Sequence, residues 1–199
     1  MKLVHLGLIL LGGWAVQTAF AQEDRKPDVP YVATPQVTVD EMLRLAGVGP
    51  DDFVVDLGSG DGRIVIAAAK KFGASGLGVD IDWRLVLQAE ANARQAGVAD
   101  RVKFVEQDLF LTDLGQAPVI TTYLFPSYML KLRTKLLSLR PGTRIVSHDF
   151  DFGDWKPDRQ TSVRKNVYLW IVPARVSGRW QARLPLPPIE RLLEIELTQ

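Results

Sequence analysis

Apolar runs alternate with longer amphipathic segments through the middle of the chain. The apolar runs predict five strands, at 53–57, 76–81, 101–107, 119–125 and 143–150. The amphipathic segments predict helices at 63–72, 84–97 and 128–140, with a short helical turn near 109–114. Strands that are apolar throughout are buried on both faces, and strands that alternate with helices form parallel sheets. The pattern therefore predicts an α/β fold, with a doubly wound and mostly parallel sheet covered by helices.

The pattern changes after residue 149, where polar and apolar residues alternate one by one. The segments 166–172 and 178–184 are predicted to be strands that pair with each other, antiparallel, at the edge of the sheet. Together with the five parallel strands they make a seven-stranded sheet. The tail 190–199 is compatible with a strand or a helix. Upstream, residues 38–41 have the spacing of a capping box, which predicts the start of a helix there.

The N-terminal segment has the features of a secretory signal peptide. Lys2 precedes an apolar run from Leu6 to Val16, and small residues flank Phe20 at positions 19–21. This predicts a signal peptide over 1–21 and an exported protein, periplasmic or associated with the membrane. An uncleaved anchor is the alternative, although the apolar run is about half the roughly 20 residues that span a bilayer.

Composition limits the remaining possibilities. Residues 22–37 are polar and contain proline, which predicts an N-terminal arm, and 38–199 has the length of one domain. The net charge of +1 indicates neither a nucleic-acid partner nor an anionic membrane surface. The chain has no cysteine, which excludes disulfides, thiol catalysis and cysteine-bound metal.

A glycine-rich loop, VVDLGSGDGR (54–63), joins the first predicted strand to the helix that follows it. Glycines admit a ligand close to the backbone, and the helix start offers free N–H groups. Phosphate is the usual ligand of such loops. Here the lysine of an ATP-binding loop is missing, and Arg63 stands where the dinucleotide fingerprint has a small residue. Asp56 and Asp61 would also repel a pyrophosphate.

A ligand with a carboxylate, an ammonium group and no phosphate fits this loop better, and S-adenosylmethionine has these groups and a sulfonium cation. Asp80 ends the second strand, where an acid can accept both ribose hydroxyls. Asp108 follows the third strand and is placed to reach the adenine amino group. The candidate cofactor-binding residues of the loop and strand ends are Asp56, Gly58, Ser59, Gly60, Asp61, Gly62, Asp80 and Asp108.

The motifs VVDLGSGDGR, GVDID and VEQDLF, at these intervals, resemble the class I (seven-strand) S-adenosylmethionine-dependent methyltransferases. The resemblance covers residues 50–184 and implies a Rossmann-like methyltransferase fold. A glycine turn with incidental acids is the alternative.

Three longer stretches, VPYVATPQVTVDEMLRLAGV, DLGSGDGRIVIAAAK and SHDFDFGDWKPD, are similar to a subgroup of these enzymes, the membrane-associated protein-lysine methyltransferases of mitochondria and their prokaryotic relatives. This implies a protein lysine as the methyl acceptor. It also implies that the arm folds over the cofactor, with Tyr31, Thr34 and Pro35 near the methionine part. A purely structural arm is the alternative.

The loops after the fourth and fifth strands carry the candidate acceptor site. LFPSY (124–128) lacks the Asp or Asn that holds the exocyclic amine in base N-methyltransferases, which disfavours nucleobases. The segment 148–158 interleaves acids with aromatic residues, which suits a cationic side chain, although the aromatics can equally pack beneath a surface loop. The candidate catalytic residues are His148, Asp149 and Tyr128, and Phe125 joins Thr34 among the candidate cofactor contacts.

Two further expectations concern this site. A strand-end histidine such as His148 is more often structural than catalytic. Asp149 and Asp151 do not suffice for a metal site, so no metal is predicted.

Three functions remain open from the sequence. The first is an S-adenosylmethionine-dependent methyltransferase that acts on a protein lysine, with no nucleic-acid partner and possible membrane association through the N-terminal segment. The second is an exported module that binds S-adenosylmethionine without catalysis. The third is a methyltransferase for a small molecule.

Overall fold

The structure is a computed structural model that describes residues 30–174, 176, 178–186 and 189–197. The predicted signal peptide (1–21) and the first part of the predicted arm (22–29) lie outside the described residues. Within the described ranges, no helix is long and apolar enough to cross a membrane.

The helices and the first five strands follow the predicted order. The helices are α1 (Gln36–Leu45), α2 (Arg63–Phe72), α3 (Trp83–Ala96) and α4 (Pro126–Leu137), with a 3-10 turn at Leu109–Leu111. The first five strands are β1 (Phe53–Leu57), β2 (Ser75–Asp80), β3 (Val102–Glu106), β4 (Val119–Thr122) and β5 (Arg144–His148). They are followed by β6 (Arg159–Val163), β7 (Lys165–Ile171), β8 (Gly178–Leu186) and β9 (Ile189–Leu197).

Seven strands form one sheet in the order β3-β2-β1-β4-β5-β7-β6. The five strands β3, β2, β1, β4 and β5 are parallel to one another. β7 and β6 add an antiparallel edge. This confirms the predicted doubly wound, mostly parallel sheet. The chain leaves β1 towards β2 and leaves β4 towards β5, so the strand order reverses between β1 and β4. In such folds the ligand crevice lies outside the carboxyl ends of the strands at this switch point.

Both faces of the sheet are covered by apolar side chains. On one face, Met42 and Leu43 of α1 pack with Val54 and Val119 of the central strands. The amphipathic helices α2 and α3 cover the neighbouring strands on that face. On the other face, α4 packs on the central strands beside Trp170. The burial of these residues holds the carboxyl ends of β1, β2 and β4 in a rigid frame.

The predicted antiparallel pair at the edge is wrong. β7 does not pair with 178–184; it lies between β5 and β6. No strand was predicted at β6 because its sequence, RQTSV, is polar. In the structure these residues are mostly exposed, as is usual for an edge strand with little core contact. Residues 178–184 belong to β8, which pairs with β9 in a separate two-stranded ribbon, so the described part of the tail, up to residue 197, is a strand.

The predicted capping box is also wrong. α1 begins at Gln36, directly after Pro35, and no side chain caps its N-terminus. Pro35 has an extended backbone and ends the arm at this point. The Thr38 hydroxyl is buried and donates instead to the carbonyl oxygen of Val163 at 3.2 Å, which ties α1 to the β6–β7 hairpin.

Candidate functional site

A cleft of about 980 Å³ opens at the carboxyl ends of β1, β2 and β4. Its walls are the glycine loop, residues 30–34 of the arm, the end of β2, the 3-10 turn and the segment after β4. This volume lies at the upper end of the range for small-molecule sites. The cleft is therefore large enough for a nucleoside with an amino-acid tail, at the place where the topology predicts a ligand.

Aromatic side chains approach the glycines of the loop so closely that a larger residue would not fit. A Cβ on Gly60 would overlap the ring of Tyr31, and one on Gly62 would lie 2.7 Å from the ring of Phe104. Both glycines also have a positive φ, which side chains disfavour. Between them and β1, the Ser59 hydroxyl is buried without a hydrogen-bond partner among the described residues. The loop thus offers backbone to the ligand region and keeps one buried hydroxyl without a partner among the described residues.

Asp56 is buried at the end of β1, with 1% of its surface exposed. Its Oδ1 accepts a hydrogen bond from the Thr121 hydroxyl at 2.7 Å. Burial is the main cause that raises the pKa of Asp56 to about 7; the Thr121 bond opposes the shift, and the nearby charges of Asp80 and Asp61 add to it. Asp56 therefore exchanges a proton near neutral pH, and a cationic ligand group in the cleft would favour its carboxylate form.

Asp80 and Asp108 lie on the cleft wall with their carboxylates held by backbone N–H groups. Asp80 accepts from Gly60 N at 2.8 Å and from Asp82 N at 3.0 Å, one bond to each oxygen. Asp108 accepts from Phe110 N at 2.9 Å and caps the 3-10 turn. Since a carboxylate oxygen has two acceptor sites, each side chain keeps capacity for a ligand. Both residues line the cleft, and their contacts with ribose and adenine stay predictions.

Arg63 ties the arm to the glycine loop. Its guanidinium donates to the Thr34 carbonyl oxygen at 2.9 Å and forms a two-point pair with Asp61, at 2.9 and 2.6 Å. Burial alone raises the pKa of Asp61, but the bonds from Arg63 outweigh it and lower the pKa. The sequence showed Arg63 only as a departure from a fingerprint, whereas the structure shows its function in closing the arm over the loop.

His148 is buried beneath the arm and is not among the residues that line the cleft. Its Nδ1 lies 3.3 Å from the Thr34 hydroxyl, and its Nε2 is buried with no partner among the described residues. Burial lowers the pKa of His148, so the ring is neutral at neutral pH. Asp149 follows it with a φ of 69° and pairs with Lys165.

The two aromatic candidates near the start of α4, Tyr128 and Phe125, lie apart from each other. Tyr128 lines the cleft and stacks on Phe110, with 5.6 Å between ring centroids. Phe125 precedes α4, is 42% exposed and faces Phe150 at 6.1 Å, so it lies outside the cleft wall. Asp151 accepts a hydrogen bond from Gly153 N within its own loop.

The cleft therefore brings together most of the predicted cofactor residues, as wall residues: Thr34, Asp56, Gly58, Ser59, Asp61, Asp80 and Asp108, with Tyr128 beside them. Gly60 and Gly62 shape the loop by contacts to Tyr31 and Phe104. Phe125, His148 and Asp149 lie behind or beside the wall.

Tyr123 and Lys131 are among the wall residues that the sequence analysis did not identify. Tyr123 lines the cleft directly after β4, and its ring centroid lies 4.1 Å from that of His148. Lys131 places its ammonium nitrogen 3.8 Å from the ring centroid of Phe110. An aromatic residue just past the end of a parallel strand was a usable signal for Tyr123, whereas Lys131 has the sequence pattern of a solvated helix face. In the part of the chain that the structure describes, no three metal-ligating side chains come together.

Comparison with known proteins matches this chain to a family of methyltransferases and to individual relatives. The model of the ANTKMT methyltransferase domain matches residues 56–159. A protein-lysine N-methyltransferase of Saccharolobus islandicus is 40% identical over 153 residues, which are 73% of this chain and 95% of the relative. A lysine N-methyltransferase of Mus musculus, named for a component of ATP synthase, is 36% identical over 160 residues, which are 78% of this chain and 63% of that relative.

Among solved structures, an RNA methyltransferase from Salinibacter ruber in complex with S-adenosyl-L-homocysteine is similar to this chain. The TM-score is 0.71 at 52% identity, and the match covers 73% of this chain and 96% of that one.

Proposed function

Because this chain belongs to the ANTKMT methyltransferase domain family, we propose that it transfers a methyl group from S-adenosylmethionine, its cofactor, to the amine of a protein lysine. The observation that carries the lysine acceptor is the 40% identity to the archaeal protein-lysine N-methyltransferase, over 95% of that relative. The mouse relative, which is named for a lysine of another protein, supports the same acceptor class.

The cleft residues fit the cofactor's chemical groups. Asp56 is buried and favours a cationic neighbour, and Asp80 keeps acceptor sites for hydroxyls. When bound, the cofactor supplies a methyl group on a sulfonium, which is already activated for displacement. The protein's contribution is then to align the acceptor amine and to exclude water.

The acceptor must lose a proton before it reacts, since a free lysine has a pKa of about 10.4. His148 is our candidate for the proton acceptor, because its ring is neutral and its Nε2 has no partner among the described residues. Tyr123 lies between His148 and the cleft. A base function of His148 predicts that His148→Asn lowers kcat and shifts its pH profile without changing cofactor affinity.

The charge of the cleft supports a cationic acceptor. Two cationic side chains, Arg63 and Lys131, line it together with four carboxylates, Asp61, Asp80, Asp82 and Asp108. Asp56 adds a fifth carboxyl group, whose pKa is raised to about 7. An acidic cleft attracts an ammonium group and repels phosphate.

RNA is the second candidate acceptor, because the Salinibacter ruber relative is described as an RNA methyltransferase. The negative balance of the cleft and the missing Asp or Asn in residues 124–128 disfavour it. A small-molecule acceptor and a module without catalysis remain the outcomes that the following experiment separates.

The test is methyl transfer from tritium-labelled S-adenosylmethionine into an envelope extract, followed by separate digestion with protease and with ribonuclease. We expect the label in protein and, after hydrolysis, in methylated lysine. Asp56→Asn, which is expected to fold but to bind cofactor weakly, is the control and should label little. Label that ribonuclease releases would establish the RNA acceptor instead. Label in small molecules, or no label with bound cofactor, would overturn the lysine proposal.

We further propose that the protein is exported and that its signal peptide, residues 1–21, is then removed. Support comes from the basic Lys2, the apolar run 6–16 and the small residues at 19 and 21. N-terminal sequencing of protein from the envelope fraction should find Gln22 as the first residue. Met1 on a protein from the cytosolic fraction would contradict export.

A further inference from the structure

A lysine of this chain already occupies a site beside the cleft. Lys165, the first residue of β7, places its ammonium against the carboxylate of Asp149. The pKa of Lys165 is raised, mainly by this hydrogen bond and also by the neighbouring Tyr123 hydroxyl. A primary ammonium is thus held by one carboxylate, with the Tyr123 phenol among the groups that act on its pKa.

This ammonium site is connected to the cofactor cleft through Tyr123. Tyr123 lines the cleft, so one residue separates the cleft from the Lys165 ammonium. Its ring lies between two other rings: the centroid of His148 is 4.1 Å away, and Phe150 is stacked at 6.2 Å. Aromatic walls next to a carboxylate suit the methylene chain and the charged end of a lysine.

Asp149 is held in an uncommon backbone conformation. Its φ of 69° lies in the left-handed region, which costs free energy in residues other than glycine. The Asp149 N–H donates to the Asn166 carbonyl oxygen at 2.8 Å, which keeps the residue at the end of β5 against β7. Such conformations cluster at functional sites, where the position of a side chain matters.

We propose that Tyr123 and Asp149 bind the terminal ammonium of the acceptor lysine, and that Lys165 occupies this site until the acceptor displaces it. This inference rests on the proposed lysine acceptor and assigns the residues that position it. Lys165 is suited to leave, because about half of its side chain is exposed and its pair with Asp149 is at the surface. The site holds the acceptor in its charged form, next to the neutral His148 ring.

An occupied site makes the acceptor compete with Lys165. Lys165→Met removes the competing ammonium and keeps an apolar chain of similar length. We expect it to lower KM for the acceptor about two- to fivefold, the factor that corresponds to one exposed ion pair, with kcat not reduced. Lys71→Met is the matched control. Lys71 also forms an ion pair at the surface, with Asp40, and it lies at the end of α2 opposite the glycine loop. Lys71→Met should leave both constants unchanged.

Two variants separate the ammonium site from a structural contact. In the Lys165→Met background, Asp149→Asn should raise KM for the acceptor, which it would not do if Asp149 only held Lys165. Tyr123→Phe should lower kcat/KM while calorimetry shows unchanged cofactor affinity. An unchanged or higher KM in Lys165→Met, or no effect of Asp149→Asn in that background, would overturn the inference.

A binding measurement tests the site without turnover. We expect n-butylammonium chloride to shift the amide resonances of Tyr123 and Asp149 saturably in Lys165→Ala, and not in Lys165→Ala/Asp149→Asn, with sodium chloride as the reference. No saturable shift in Lys165→Ala would refute the site. If n-butylammonium binds but no protein lysine is ever labelled, the ammonium site stands and the proposed function fails.

Discussion

Replacing Asp56 by asparagine should stabilise the cofactor-free protein at high pH and weaken cofactor binding. Asp56 is almost completely buried, and burial raises its pKa from 3.8 to about 7. Asparagine has nearly the same shape, cannot ionise and still offers an oxygen to the Thr121 hydroxyl, which donates at 2.7 Å. The variant therefore removes the ionisation and leaves the main contact of the side chain in place.

The magnitude follows from the two pKa values. In the unfolded chain Asp56 ionises near pH 4, and in the folded protein it ionises near pH 7. Between these values the folded state binds more protons, so the free energy of unfolding falls as the pH rises. A shift of about 3 pKa units lowers the free energy of unfolding by about 4 kcal/mol. This decrease is absent below pH 4 and complete above pH 7. Asp56→Asn should not show this loss.

Urea unfolding of both proteins without cofactor, at pH 4, 6 and 8, measures the difference. The stability of the variant minus that of the wild type should increase by about 4 kcal/mol from pH 4 to pH 8. Other titrating groups act in both proteins and cancel. Calorimetry with S-adenosylmethionine should show that wild-type affinity increases through pH 7, as a cationic ligand favours the carboxylate, and that the variant binds weakly at every pH. Parallel stability curves for the two proteins would refute the buried, neutral Asp56.

Three further substitutions test the cleft and its frame. Gly60→Ala places a methyl group against the Tyr31 ring at a residue with a positive φ. We expect the free energy of unfolding in urea to fall by about 1–2 kcal/mol and calorimetry to show weaker cofactor binding. The added substitution Tyr31→Ala should relieve the clash. Lys135→Met removes two hydrogen bonds, of 2.8 and 2.5 Å, from the lysine ammonium to carbonyl oxygens around the 3-10 turn. The free energy of unfolding should fall by about 1–3 kcal/mol. An unchanged value would show that water replaces the ammonium. Gly78→Ala meets the Phe104 ring at 2.5 Å and should lower the free energy of unfolding by about 1–3 kcal/mol, whereas full stability would mean that the ring can move aside.

Much of the fold was predictable from local pattern. The central strands β1, β4 and β5 are buried along almost their whole length, and a mostly apolar run of this kind has few other stable arrangements. The glycine loop and Asp80 were predictable for a similar reason, since their positions at strand ends follow from the order of the elements. Parallel strands bring their carboxyl ends to the same edge, so the sequence determined that these groups meet.

The antiparallel edge and the acceptor side were decided by the tertiary structure. β6 is polar and gains its place only by pairing with β7, and β8 pairs with β9, because backbone hydrogen bonds between strands carry no local signal in the sequence. The pairs of Arg63 with Thr34 and of Lys165 with Asp149 join residues from different segments of the chain. The high pKa of Asp56 has the same origin, since burial by the surrounding chain, which no single segment encodes, removes the water that would stabilise its charge.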